Sequence, residues 1–127
     1  MQQNQLFEYA VIRIVPRVER EEFLNVGVIL YCARQQFLQT MSCLNQHRLA
    51  AFCVETDKVE LLQHLDAMQR ICVGDIEAGP IAKLDIAARF RWLTATRSTV
   101  IQTSKVHPGF CKNPGQTLEK LYEKLVC

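Results

Sequence analysis

From Phe7 to Val15 the chain has no polar face. One set of alternating positions is Phe7, Tyr9, Val11 and Arg13, and the other is Glu8, Ala10, Ile12 and Ile14. β-Branched and aromatic residues dominate and Pro16 closes the run, so the pattern predicts a strand. Apolar residues on both faces predict a central strand covered from each side, with Arg13 interrupting one cover. A charged connection follows over Pro16 to Glu22. Val26 to Ala33 is again apolar on both faces and predicts a second strand. Gly27 inside it has nothing to pack, which predicts a bulge or the close approach of another backbone or a ligand. Arg34-Gln35-Gln36 is a short turn into a third strand over Phe37 to Leu44, forming an antiparallel hairpin.

The period then changes to that of helices. Asn45 to Val54 predicts a first one. Over Asp57 to Cys72, Leu61, Leu65, Met68 and Cys72 form a stripe that Val59 and Leu62 widen. Asp57 can cap that helix, Glu60 completes a capping box, and Gly74 can end it. Pro80 predicts the opening of a third helix with Ile81, Leu84 and Ala88 on one face. Ser98 to Ser104 predicts a fourth strand. Asn113 as cap, Pro114 at the first position and Gln116 in the box start a last helix, with Leu118, Leu121, Tyr122, Leu125 and Val126 inward. The order β-β-β-α-α-α-β-α predicts one α+β domain over residues 1–127, a mostly antiparallel sheet of about four strands with helices packed on it. Strand order does not follow from the pattern.

Composition changes this picture little. At 127 residues the chain carries 49% hydrophobic and 22% charged residues, ordinary for a globular protein. A net charge of +2 does not indicate nucleic acid as a partner. No apolar run approaches the roughly 18 residues of a membrane span, and Met1-Gln2-Gln3-Asn4-Gln5 lacks a signal peptide's cationic start and apolar core. The expectation is a cytoplasmic protein. Cys32, Cys43, Cys53, Cys72, Cys111 and Cys127 are widely spaced, with no C-x-x-C pair and none beside a histidine. Close ligand pairs mark zinc sites, so no metal is expected and buried reduced thiols are. Neither a phosphate loop nor a dinucleotide fingerprint is present, and no nucleophile elbow, so no cofactor is expected.

Chemistry concentrates in three groups. Arg13 faces apolar neighbours and needs a carboxylate, a carbonyl cluster or an anionic ligand to offset its desolvation. Glu22 could supply that carboxylate; otherwise a phosphate or carboxylate ligand could be gripped bidentately. Arg20, Glu22 and Asn25 lead into Val26-Gly27-Val28, either as a solvated turn or with Glu22 orienting Arg13 or Arg97. Arg91, Trp92, Arg97, Ser98, Gln102, Ser104 and His107 form the third group. Trp92 suits the core, or a stacking platform for a base beside Arg91. Ser98, Gln102 and Ser104 share a strand face, as a wet edge strand or as hydrogen-bonding groups for an anion. His107 precedes Pro108 and Gly109 in what reads as a rigid turn.

Taken together, Tyr9-Ala10-Val11-Ile12-Arg13-Ile14-Val15-Pro16, Glu22 to Leu30, Phe90 to Ser98, Gln102-Thr103-Ser104 and His107-Pro108-Gly109 resemble the bacterial family catalogued as domain of unknown function 3037. The resemblance runs from Tyr9 into the last helix. Thr96 stands where that family often has proline, which affects a turn. The resemblance implies a small bacterial cytoplasmic protein without assigned catalysis, and a HipA-like kinase as a partner by gene adjacency. Its motif positions fall on Arg13, Asn25, Gly27, Arg91, Trp92, Arg97, Ser98, Gln102, Ser104 and His107.

These readings favour a binding or regulatory module. Arg13, Asn25, Arg91, Trp92, Arg97, Ser98, Gln102 and Ser104 would hold an anionic group of a nucleotide, phosphate or protein partner. A phosphate-handling enzyme with His107 or Glu22 as general acid/base is the alternative. A structural protein that pairs its Ser98–Ser104 edge with a partner, or with a second copy as a homodimer, is the third.

Overall fold

A computed structural model describes residues 4–15, 23–45, 47–48, 58–95 and 100–126. The predicted connection over 16–22, most of the predicted helix over 45–54, the Asp57 cap and the start of the predicted fourth strand lie outside the described residues.

Five strands and three helices make up the described fold. They are β1 (Gln5–Ile14), β2 (Leu24–Cys32), β3 (Phe37–Ser42), α1 (Lys58–Cys72), α2 (Ile86–Leu93), β4 (Ile101–Thr103), β5 (His107–Cys111) and α3 (Pro114–Leu125). The predicted α+β class and antiparallel sheet hold. The sheet order is β3-β2-β1-β4, and β5 also pairs with β1. Every pairing is antiparallel.

β1 is the central strand because both its faces are buried. Ala10, Ile12 and Ile14 pack with Leu61, Leu65, Met68 and Ile71 of α1 and with Phe90 and Leu93 of α2. On the other face Phe7 packs with Val28, Leu30, Cys111 and Leu118 of α3. That second helix layer covers β2 and β3. Helix termini follow their sequence signals. Asn113 accepts from the Gln116 amide at 3.1 Å with Pro114 at the first position. Gly74, at φ 75°, ends α1 by donating to Ile71, while Asp75 donates to Arg70.

Two predictions are corrected. Pro80 opens only a 3-10 turn, Pro80–Lys83, and α2 begins after Asp85, whose carboxylate accepts from the Ala88 amide at 2.8 Å. A side-chain cap outcompetes proline as the start signal. His107-Pro108-Gly109 is not a turn but the beginning of β5. Pro108 opposes Glu8 on the outer strand, where its missing N–H faces away from β1 and costs no ladder bond. Gly109 lies under the Phe7 ring, and a Cβ there would stand 2.6 Å from Phe7 Cζ.

β4 and β5 together form one outer strand interrupted by a bulge. Thr103 opposes Ile12 and His107 opposes Tyr9, so the outer strand takes one step more than β1 between these pairs. Ser104 repairs the interruption. Its amide donates to Val11 O at 2.8 Å and its Oγ accepts from the Val11 amide at 2.9 Å.

Candidate functional site

A second bulge, on β2, builds the site. Val11 opposes Val28 and Ile12 opposes Gly27, but Arg13 opposes Asn25. Regular alternation would set Val26 beside Arg13 and turn Asn25 to the other face. The extra residue rotates Asn25 onto the face of Arg13 and leaves Val26 in the core. Gly27 permits this crowding: a Cβ there would lie 2.7 Å from Met41 O. The expectation of a bulge or a close backbone approach at Gly27 is met on both counts. On the opposite side of Arg13, Gln102 of β4 is its register partner. Asn25, Arg13 and Gln102 therefore form one row across three strands.

The electrostatics of this row are unusual. The half-buried Arg13 guanidinium lies over the Phe23 ring, 4.1 Å from its centroid. Its Nε is buried and has no hydrogen-bond partner. No carboxylate of the described residues forms a salt bridge with it. Asn25 Nδ2 donates to Leu125 O of α3 at 3.2 Å. That bond fixes the amide orientation, so the remaining atom is the acceptor Oδ1. Asn25 Oδ1 is likewise buried without a partner. One row thus presents a donor and an acceptor, both withdrawn from water and unanswered among the described residues.

The other expected residues go elsewhere. Arg91 of α2 is on the opposite side of the sheet from Arg13, where its Nη2 meets Glu8 Oε2 at 2.8 Å and Oε1 at 3.1 Å. Trp92 is next to it on α2, 40% exposed rather than core. Ser104 has its hydroxyl engaged in the outer-strand bulge, where it also donates to Lys105 O at 2.9 Å. His107 shares the face of Arg13 and packs its ring 5.3 Å from that of Tyr9. Tyr9 and Arg13 are four residues apart on β1, about 13 Å at the strand rise of roughly 3.3 Å per residue. His107 and Arg13 therefore do not meet on one reacting atom. Glu22, Arg97 and Ser98 lie outside the described residues.

Three side chains were not singled out by sequence. Arg89 Nη1 donates to Ile71 O and Cys72 O, both at 3.0 Å, and so caps α1. Arg48 Nη1 reaches Val126 O at 2.9 Å. Phe23 supplies the ring under Arg13. A guanidinium directed at helix carbonyls has a weak signal in sequence, since its targets are backbone atoms of any residue type.

The thiols are mainly those of packing residues. Cys32, Cys72 and Cys111 are buried and free. Burial pushes the Cys72 thiol up to about 12, against the smaller opposing pull of Arg89. Burial also raises Cys111. Cys43 corrects the expectation of burial: β3 stops at Ser42 and the next residue is exposed. Among the described residues no group of three histidine, cysteine or acidic side chains could hold a metal ion, and no helix is long and apolar enough to cross a membrane.

Comparison with known proteins agrees with the sequence blocks. The family model described as Protein of unknown function (DUF3037) matches residues 9–126, from β1 through α3. The chain belongs to that family. No curated protein and no solved structure matched it.

Proposed function

We propose that the chain is a binding module whose recognition centre is Arg13, flanked by Asn25 and Gln102. The observation that supports this most is the half-buried Arg13 guanidinium with an unpartnered buried Nε. Leaving such a donor unanswered costs about 1–3 kcal/mol, and a ligand oxygen answers it. The side edge of a guanidinium donates two N–H bonds to two oxygens of a carboxylate or phosphate bidentately. Phe23 holds the plane of the group from one side.

Among the described residues the anion site therefore narrows to one arginine, Arg13, while Arg97 lies outside them. Arg91 already has Glu8 as its anion. Isothermal titration with inorganic phosphate and with a nucleoside triphosphate tests the proposal. Arg13→Ala, shown folded by circular dichroism, is expected to weaken binding at least about tenfold, and Arg91→Ala to leave it within about twofold of the parent. Equal affinity of Arg13→Ala and the parent would sink the proposal.

A further inference from the structure

A cavity of about 380 Å³ opens at the end of β2, beside the C-terminal turn of α3. Its volume is at the small end of ligand pockets, which run from roughly 300 to 1,000 Å³. Among the described residues, Leu24, Val26, Tyr122 and Val126 give it apolar walls, and Asn25 and Arg48 stand among them. Two of its polar side chains are held by consecutive carbonyls: Asn25 donates to Leu125 O, and Arg48 to Val126 O, while Asn45 Oδ1 accepts from the Arg48 amide. They are therefore neighbours at one end of the cavity. Arg48 spends a single N–H on the helix terminus in this contact, and a guanidinium has five. The buried Oδ1 of Asn25 has no donor.

From this we infer that the cavity binds an apolar carboxylate bearing an adjacent N–H, of the kind presented by the C-terminal residue of a peptide or by an N-acylated hydrophobic amino acid. The carboxylate pairs with the guanidinium of Arg48. The amide N–H donates to Asn25 Oδ1. The aliphatic side chain fills the space between Leu24, Val26, Tyr122 and Val126. A phosphate alone satisfies the cation but leaves the acceptor and the apolar walls unanswered, so the carboxylate class fits this cavity better. The inference goes beyond the Arg13 reading and shares only Asn25 with it: Arg48 holds the carboxylate and the cavity walls hold the side chain.

N-acetyl-L-leucine is the probe, titrated into the full chain and followed by amide NMR shifts. Saturable shifts at Leu24, Val26 and Val126 are expected. N-acetyl-L-leucinamide, which lacks the carboxylate, is expected to bind at least about tenfold more weakly. Arg48→Gln keeps a donor for Val126 O while removing the charge, and should abolish the difference between acid and amide. The shifts at Leu24, Val26 and Val126 report on the cavity and the phosphate titration of Arg13→Ala reports on the other site, so failure of either proposal is read separately. No saturable shift at the cavity residues, or equal affinity for acid and amide, would overturn it. If Arg48→Gln does not fold, the acid–amide comparison on the parent chain decides alone.

Discussion

Arg13 and Ser104 were singled out for the same reason, polarity inside an apolar strand pattern, yet they solve opposite problems. Ser104 is fully employed: its hydroxyl and amide both bond Val11 where the outer strand steps out of register. Removing the hydroxyl leaves the Val11 amide buried and unpaired. Ser104→Ala should therefore lose about 1–3 kcal/mol of stability, read as a lower urea midpoint with unchanged slope. Arg13 has an unanswered donor instead. Arg13→Met keeps much of the aliphatic stem against Phe23 and deletes the desolvated charge. It is expected to raise the urea midpoint, by the equivalent of about 1 kcal/mol, while phosphate binding is lost. A lowered midpoint would mean that the guanidinium is structural. Sequence made both residues visible as exceptions. It could not rank them, since the difference lies in which backbone atoms happen to be within reach.

At the scale of elements, the sheet has two outer strands and each is blunted differently. Pro108 puts no N–H on the free side of β5 at its position. On β3, Thr40 turns its amide outward and Gln69 of α1 accepts from it at 3.1 Å, taking the Thr40 hydroxyl as well. Gln69→Ala reopens that edge. The expected result is a loss of about 1 kcal/mol together with concentration-dependent self-association by light scattering. A strictly monodisperse variant would show that the edge needs no guard. These guards act on β5 and β3, whereas the expected partner edge over Ser98–Ser104 falls on β4 and partly outside the described residues. Gly27 belongs to the same scale. Its Cβ position is 2.7 Å from the Met41 carbonyl, a backbone atom that cannot swing aside. Gly27→Ala should cost about 1–3 kcal/mol and loosen the β2–β3 pairing, seen as faster amide exchange there. Strands and helices were legible because their periods and caps are local. The two bulges were less so, because a bulge is defined by the partner strand, and only Gly27 marked either in advance. Pro108-Gly109 misled for a related reason. Both residues favour turns in isolation, and only the neighbouring Phe7 ring and the free edge make them suitable for a strand.

The whole molecule is a central strand with a helix layer on each face, and only the α3 layer borders the row of Arg13 and Asn25. α1 and α2 cover one side with an apolar cluster, beside which Arg89 Nη1 donates to α1 carbonyls while its buried Nε has no partner among the described residues, and Arg91 pairs with Glu8. α3 covers part of the other side and leaves the end of the sheet near Arg13 and Asn25 next to its own C-terminal carbonyls. The unanswered polar atoms of Arg13 and Asn25 both belong to the second side. Stability, in contrast, can be probed through the first. Cys72 is in the α1 cluster and its thiol is pushed up to about 12 by burial, from an ordinary value of 9.0. The folded state therefore keeps the proton that the unfolded chain releases. Its contribution is fully present below pH 9 and is lost as pH rises from 9 towards 12. The slope approaches about 1.4 kcal/mol per pH unit, with a ceiling of about 4 kcal/mol. Cys72→Ala removes the ionisable group at the expense of a small cavity. Urea midpoints of the two chains between pH 7 and 11 should show the parent falling more steeply above pH 9. Parallel curves would mean that the thiol titrates freely, and that the α1 layer opens to water more readily than its packing against β1 implies.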